Sequence, residues 1–167
     1  TLDKVVVVRH DATIDATTNG SGLIADMTLA ELQAFDVGFH ETDYPEKPTV
    51  DGIRIPTIEA LFSALPDKRF LIELKPDDTE TGIQLCQLIL DHGLGDQVLV
   101  GSFYSTVLKD FRQSCPKVPT SLGEEEVLVF VLLSWVGLGH LFDSPGYSVQ
   151  LPFEYYGVNL ISKRLIR

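Results

Sequence analysis

Apolar and polar positions alternate between two rhythms along this chain, and the change from one to the other marks its elements. The first is Lys4-Val5-Val6-Val7-Val8-Arg9-His10-Asp11, where four consecutive valines make a β-branched run too apolar for a half-exposed strand. Such a run suits a parallel sheet covered on both faces. A strand ending at His10 sets an imidazole at the carboxyl end of a sheet, where α/β folds keep their active sites. The alternative is a strand-end histidine bonded to its own loop. Turn formers follow in Thr17-Thr18-Asn19-Gly20-Ser21-Gly22, with Asn19-Gly20 the strongest local turn signal.

Thr28 with Glu31 three residues on forms a capping box, which predicts a short helix reaching about Phe35. From Asp36 to Pro56 the chain reads as irregular, carrying Gly38, Pro45, Pro48, Asp51-Gly52 and Pro56. A loop of that length in a compact domain is usually functional. Helical spacing returns with Ile58, Leu61, Phe62 and Leu65 on one face, and Pro66 ends it. Phe70-Leu71-Ile72-Glu73-Leu74-Lys75-Pro76 then reads as a strand. Strand side chains alternate, so Glu73 and Lys75 share one face. They are either an inward-facing pair at a catalytic end or an ion pair on a sheet edge.

A helix over Thr79 to His92 closes at Gly93, an αL terminator. Next come a buried strand from Gln97 to Phe103, a helix from Thr106 to Ser114 stopped by Pro116, and a short strand over Val118 to Gly123. Strand and helix alternating in this way predict βα units with right-handed crossovers, which suit a (β/α)8 barrel or a doubly wound sheet. No Gly-x-Gly-x-x-Gly follows any strand, which disfavours a dinucleotide fold. Glu124-Glu125-Glu126 suit a helix N-terminus. Residues 127–142 then hold no Asp, Glu, Lys or Arg. This segment is shorter than the ~20 residues that span a bilayer, so it reads as a buried barrel helix with a membrane-leaning face, a transmembrane span being the alternative. Tyr147 to Pro152 and Val158 to Ile161 are candidate fifth and sixth strands.

With 167 residues and 44% hydrophobic content the chain suits one globular domain with a real core. The formal net charge of −11 argues against a nucleic-acid partner, which would need clustered Lys and Arg, and is compatible with holding a divalent cation. Cys86 and Cys115 show neither metal spacing nor a disulfide framework and read as stray buried thiols. His40, His92 and His140 lack partners at ligand spacing, which gives each an ordinary structural role.

Taken in order, these segments resemble the glycerophosphodiester phosphodiesterase family. The resemblance rests on Thr1-x-Asp3 before the valine run, His10-Asp11, the Thr17-Thr18-Asn19-Gly20 turn, Ile55-Pro56-Thr57 opening a helix, Glu73-x-Lys75, Ser102-Phe103 and Gln150-x-Pro152. It implies an α/β fold, an incomplete TIM-type (β/α)8 barrel over residues 1–167, with a small loop-rich insert over residues 12–56. The family's His-Arg-Gly and Glu-x-Asp motifs would then lie before Thr1, and its closing strands beyond Arg167. Lys4 stands where the family usually has glycine, and Ala16 where it usually has arginine.

By the same resemblance the complete enzyme hydrolyses glycerophosphodiesters to sn-glycerol 3-phosphate and an alcohol. His10 would act as general acid or base, Glu73 as a ligand to Ca²⁺ or Mg²⁺, and Lys75 as the contact to the substrate phosphate. The chain alone is expected to be inactive, having one of two histidines and one metal ligand. Two other classes stay open: a phospholipase-type enzyme acting on lipid phosphodiesters, and a non-catalytic barrel that only binds. The expected partner is a small molecule, with membrane contact not predicted. Oligomeric state and compartment stay open, the cytoplasm being slightly favoured.

Overall fold

A computed structural model describes residues 1–38 and 53–151, together with the short strands Glu154–Tyr155 and Val158–Asn159. The chain divides into two compact units, Thr1–Asp67 and Lys68–Arg167. Most of the irregular stretch expected between Asp36 and Pro56, His40 included, lies outside the described residues.

In the first unit the turn-forming stretch closes a loop, but its hydrogen-bonded turn falls at Ile14–Thr18, where Thr18 N–H donates to Ile14 O, and not at Asn19-Gly20 as expected. Thr13 and Leu23 form an antiparallel bridge, closed by Ile14 N–H to Gly22 O and Ile24 N–H to Ala12 O. The loop between them is pinned by the Thr18 hydroxyl, which donates to Ile14 O and accepts from Gly20 N–H. Helix α1, Leu29–Leu32, starts at the predicted capping box, with both reciprocal bonds between Thr28 and Glu31 formed. The Thr28 N–H, and then its hydroxyl, hold the Glu31 carboxyl below its ordinary value. Asp3 adds a second cap from a distance, its carboxylate accepting from Leu29 N–H. Helix α2, Ile58–Ala64, is capped by the Thr57 hydroxyl and buries Ile58 and Phe62. Ile14, Ile24, Leu32 and Ile55 form a small core, against which Val7, Met27, Phe35 and Val37 pack.

The valine run is not the buried parallel strand its composition suggests. Val5 to Val7 are half-buried, Val8 is exposed, and the run makes a single antiparallel bridge from Val7 to Thr57. β-branching reports a preference for extended backbone, whereas burial depends on which segment pairs with it. Here the pairing segment is the lead-in to α2, through Val8 N–H to Pro56 O and Ile58 N–H to Val6 O.

Lys4, just before the run, has φ of 61°, a left-handed conformation that costs a residue with a Cβ about 1–2 kcal/mol. Glycine adopts it without that cost, which gives a backbone reason for the glycine the resemblance leads one to expect there. Lys4→Gly should therefore stabilise the first unit by about 0.5–1 kcal/mol, once the greater freedom of glycine in the unfolded chain is set against the relieved strain. A denaturant titration of the two proteins reads this directly, and no gain, or a loss, would contradict it.

The second unit contains the βα alternation. Strand β1, Phe70–Leu74, pairs in parallel with β2, Val98–Ser102, Phe70 opposite Val98 and Leu74 opposite Ser102. The predicted fourth and fifth strands continue the arc as single parallel bridges, Val100 to Thr120 and Ser121 to Ser148. The predicted sixth strand does not continue it. Val158–Asn159 (β4) pairs antiparallel with Glu154–Tyr155 (β3). Only Tyr156 and Gly157 separate them, and a connection that short can join antiparallel neighbours only.

Helix α3, Thr79–Asp91, begins at the Asp78 side chain and buries Leu85, Cys86 and Ile89. It ends as predicted at Gly93, with φ of 66°. Helix α4, Ser105–Ser114, buries Val107, Leu108 and Phe111 and packs against both α3 and β2.

Cys86 and Cys115 correct the thiol reading: they form a disulfide joining α3 to the end of α4. Twenty-nine residues apart in sequence, they come together only because the two helices pack side by side, which spacing alone does not reveal. Closing a loop of that length constrains the unfolded chain enough to stabilise the fold by about 2–4 kcal/mol. Cys86→Ala/Cys115→Ala should lower the unfolding free energy of the second unit by that amount, and dithiothreitol should change the parent protein but not the variant. Equal stability of the two would count against the bond.

Helix α5, Glu124–Trp135, starts at Gly123 with the Glu126 side chain accepting from the Gly123 N–H. A Cβ at Gly123 would come within 2.6 Å of the Ser105 Oγ, so α4 and α5 can approach this closely only over a glycine. The expectation that this apolar segment is buried is corrected too. Within α5 only Val131 and Ser134 are buried, while Leu128, Val129 and Leu132 are about half exposed. The helix is apolar all round, and its neighbours cover only one row of it. Among the described residues no helix is long and apolar enough to cross a membrane.

Candidate functional site

Alternation along β1 sets Glu73 and Lys75 on one face, and the structure joins them: Lys75 Nζ lies 2.8 Å from Glu73 Oε2. Both side chains keep about a third of their surface, 34% for Lys75 and 37% for Glu73. Glu73 borders a cavity of about 240 Å³ whose lining also includes Ser102, Ser121 and Gln150. Each of these comes from the C-terminal end of a different extended segment, the side on which parallel α/β folds assemble their sites. Gly101 lies under them, so that a Cβ there would be 3.1 Å from Ser121 Oγ and 3.4 Å from Gln150 Nε2. Ser102 is fixed by donating to Leu74 O at 2.9 Å and accepting from Tyr104 N–H at 3.2 Å. Apolar side chains complete the wall, among them Phe103, Leu122, Val127 and Leu128.

Arg112 holds two sides of this cavity in place. From α4 its guanidinium donates to Thr120 Oγ1 (2.8 Å), Ser121 O (2.9 Å) and both carboxylate oxygens of Glu126 (2.7 and 3.0 Å). The arginine and glutamate side chains are about four-fifths buried, 19% and 20% exposed. Burial alone would push the Glu126 carboxyl up, but the hydrogen bonds from Arg112 and the Gly123 N–H, with the Arg112 charge, outweigh it and hold the group below its ordinary value. In the sequence Glu126 reads only as a helix-start acid, and Arg112 carries no signal at all. The partners of Arg112 lie on other elements, and no local pattern marks them.

His10 belongs to the first unit and Glu73 and Lys75 to the second. The imidazole is 81% exposed, with Nδ1 2.7 Å from Asp11 Oδ1. An ionised carboxylate only accepts, so Asp11 fixes Nδ1 as the protonated nitrogen and leaves proton exchange to Nε2. His92 sits at the C-cap of α3 with Nδ1 2.9 Å from Leu88 O, the structural role expected of it. Among the described residues no three His, Cys, Asp or Glu are grouped so as to hold a metal ion.

The family model described as the glycerophosphoryl diester phosphodiesterase family matches residues 1–125. The chain is 35% identical over 180 aligned positions to a glycerophosphodiester phosphodiesterase of Bacillus subtilis, an alignment covering 100% of this chain and 60% of that protein. It is 32% identical to the enzyme of that name from Caldanaerobacter subterraneus subsp. tengcongensis, over 73% of this chain and 50% of the other. Among solved structures it is similar to a glycerophosphodiester phosphodiesterase from Agrobacterium tumefaciens (TM-score 0.65, 24% identity, 81% of this chain and 56% of that one). It is also similar to an Oleispira antarctica phosphodiesterase in complex with the product sn-glycerol-3-phosphate (TM-score 0.60, 25% identity, 73% and 50%). The chain spans about half the length of the curated relatives it matches, 49–60%. The parallel arc of strands with α3 and α4 is thus part of a TIM-type barrel. With its family model matched over 125 residues, this chain belongs to the glycerophosphoryl diester phosphodiesterase family.

Proposed function

We propose that the family-length protein carrying this chain hydrolyses glycerophosphodiesters to sn-glycerol 3-phosphate and an alcohol. The observation that carries this reading is Glu73, paired with Lys75, on the rim of a cavity at the ends of parallel strands, in a chain of this family. Water attacks phosphorus, the P–O bond to the alcohol breaks, and the departing oxygen takes a proton. Lys75 has three N–H donors, so it can serve Glu73 and a phosphoryl oxygen together and offset charge that builds up on that oxygen. His10, its Nδ1 tied to Asp11, holds or delivers a proton at Nε2, a contribution of about 10²- to 10⁴-fold.

A hard divalent cation, Ca²⁺ or Mg²⁺, would neutralise the phosphoryl oxygens further when bound. Such ions take six or more oxygen ligands. This chain offers Glu73, one of whose oxygens is already on Lys75, and the described residues gather no group of three His, Cys, Asp or Glu that could hold a metal ion. They do not make a cation site by themselves, and Glu73 is proposed as the one ligand this chain supplies.

The test is a chimera in which this chain replaces the matching part of the Bacillus subtilis relative, assayed with glycerophosphocholine. The chimera should turn over and lose activity in EDTA, regaining it with Ca²⁺ or Mg²⁺, while the 167-residue chain alone should show no turnover. Turnover by the short chain would overturn its proposed inactivity. A folded chimera without activity would favour the non-catalytic binding module.

A further inference from the structure

His10 stands on a loop with little burial of its own, residues 10–12 and 15–17 all being exposed. Ile14 and Thr18 anchor the far side of that loop. They are 0% and 3% exposed, and the Thr18 N–H and hydroxyl both donate to Ile14 O. On the near side the extended run is held as far as Val8, whose N–H donates to Pro56 O. Between these two holds lie His10 and Asp11.

The Arg9 side chain spans that interval. Its Nη1 donates to Thr17 Oγ1, and its Nη2 makes a longer bond of 3.5 Å to Thr13 O. A side chain rooted one residue before His10 thus reaches past it to the turn beyond, and the fixed fork of a guanidinium can serve two such acceptors together. The bend carrying His10 is closed into a ring. Arg9 does this at the expense of folding, because its Nε is buried and makes no hydrogen bond among the described residues. A buried donor without a partner forfeits the water it gave up, so an apolar side chain of similar length would fold at least as well. A group kept against stability points to function.

We infer that Arg9 is a positioning residue, tying the His10–Asp11 bend to the Thr13–Thr17 turn so that the imidazole Nε2 is presented in one orientation. The inference rests on the diester reading above and adds a residue to it. Misplacing a reacting group by 1 Å costs about a hundredfold in rate, and a loosened loop that still visits the right place costs less. Arg9→Met in the chimera should therefore lower kcat for glycerophosphocholine about 10- to 100-fold, with KM within twofold and the denaturation midpoint unchanged or raised. Arg9→Lys, which keeps a donor but not the fork, should fall between the two. Thr17→Val removes the acceptor instead and should give a similar loss, and the double variant Arg9→Met/Thr17→Val should be no worse than the poorer single one.

The 167-residue chain supplies a readout without turnover. Of its four histidines, His10 is assigned by the resonance that His10→Gln removes, and Arg9→Met should bring microsecond-to-millisecond exchange to the ring signal. Unchanged kcat and an unchanged ring signal in Arg9→Met would overturn the inference and leave the diester reading standing. A raised KM with kcat intact would make Arg9 a substrate contact, and a fall in stability matching the fall in activity would make it a structural one; either result overturns the inference. Multiplying losses in the double variant would do the same. An inactive parent chimera would instead contradict the diester reading, and the ring signal would still show whether Arg9 holds His10.

Discussion

His10→Ala in the chimera should lower kcat for glycerophosphocholine by about 10²- to 10⁴-fold and leave the melting transition in place. The two halves of this expectation rest on different observations. Because the imidazole is 81% exposed, removing it opens no cavity. Surface changes of that kind shift stability by about 0.5 kcal/mol or less, so lost turnover cannot be charged to unfolding. Asp11→Asn should act more weakly and through the ring: an amide can donate to Nδ1 and so permits the wrong tautomer. Its signature is a fall in kcat with little change in KM, together with a displaced pH profile. An active His10→Ala enzyme would remove His10 from the chemistry.

Arg112→Met should cost the second unit about 3–5 kcal/mol, the usual price of breaking a largely buried pair by removing one partner. The substitution deletes bonds to Thr120, Ser121 and Glu126 and leaves a carboxylate that is 20% exposed with the Gly123 N–H still donating to it. Adding Glu126→Leu should recover part of the loss, because two apolar groups of similar volume need no partners. The pH dependence follows from the sign of the shift. Glu126 titrates below its ordinary 4.5 when folded, so its contribution is fully present above that value and is lost as pH falls through the lowered one. The parent protein should therefore lose stability on acidification below about pH 4.5 more steeply than Arg112→Met. Parallel acid profiles, or a loss under 1 kcal/mol, would show that Arg112 does not hold these elements.

What the sequence disclosed and what it hid divides by range. The Thr28–Glu31 capping box, the Gly93 terminator and the period-two placement of Glu73 and Lys75 each depend on neighbours within four residues, and each formed as expected. The valine run, the Cys86–Cys115 bond, the 154–159 hairpin and the exposure of α5 depend on which distant segment lies alongside. Composition says nothing of that. Ser102 and Gln150 stood in the motifs that suggested the family, but Ser121 did not, and only the parallel register brings all three to the cavity beside Glu73. Lys4 is the reverse case. Its departure from the family's glycine was visible in the sequence, and the left-handed backbone supplies the physical reason.

The claim on which the functional account turns is that Glu73, at the end of β1, works on the phosphodiester and is more than the anionic half of a surface ion pair. Turnover of glycerophosphocholine by the chimera bearing Glu73→Gln tests it most directly, since a side chain 37% exposed can be made neutral with little effect on folding. The account predicts a loss of at least a hundredfold that added Ca²⁺ or Mg²⁺ does not restore. Turnover within a few-fold of the parent chimera would contradict it.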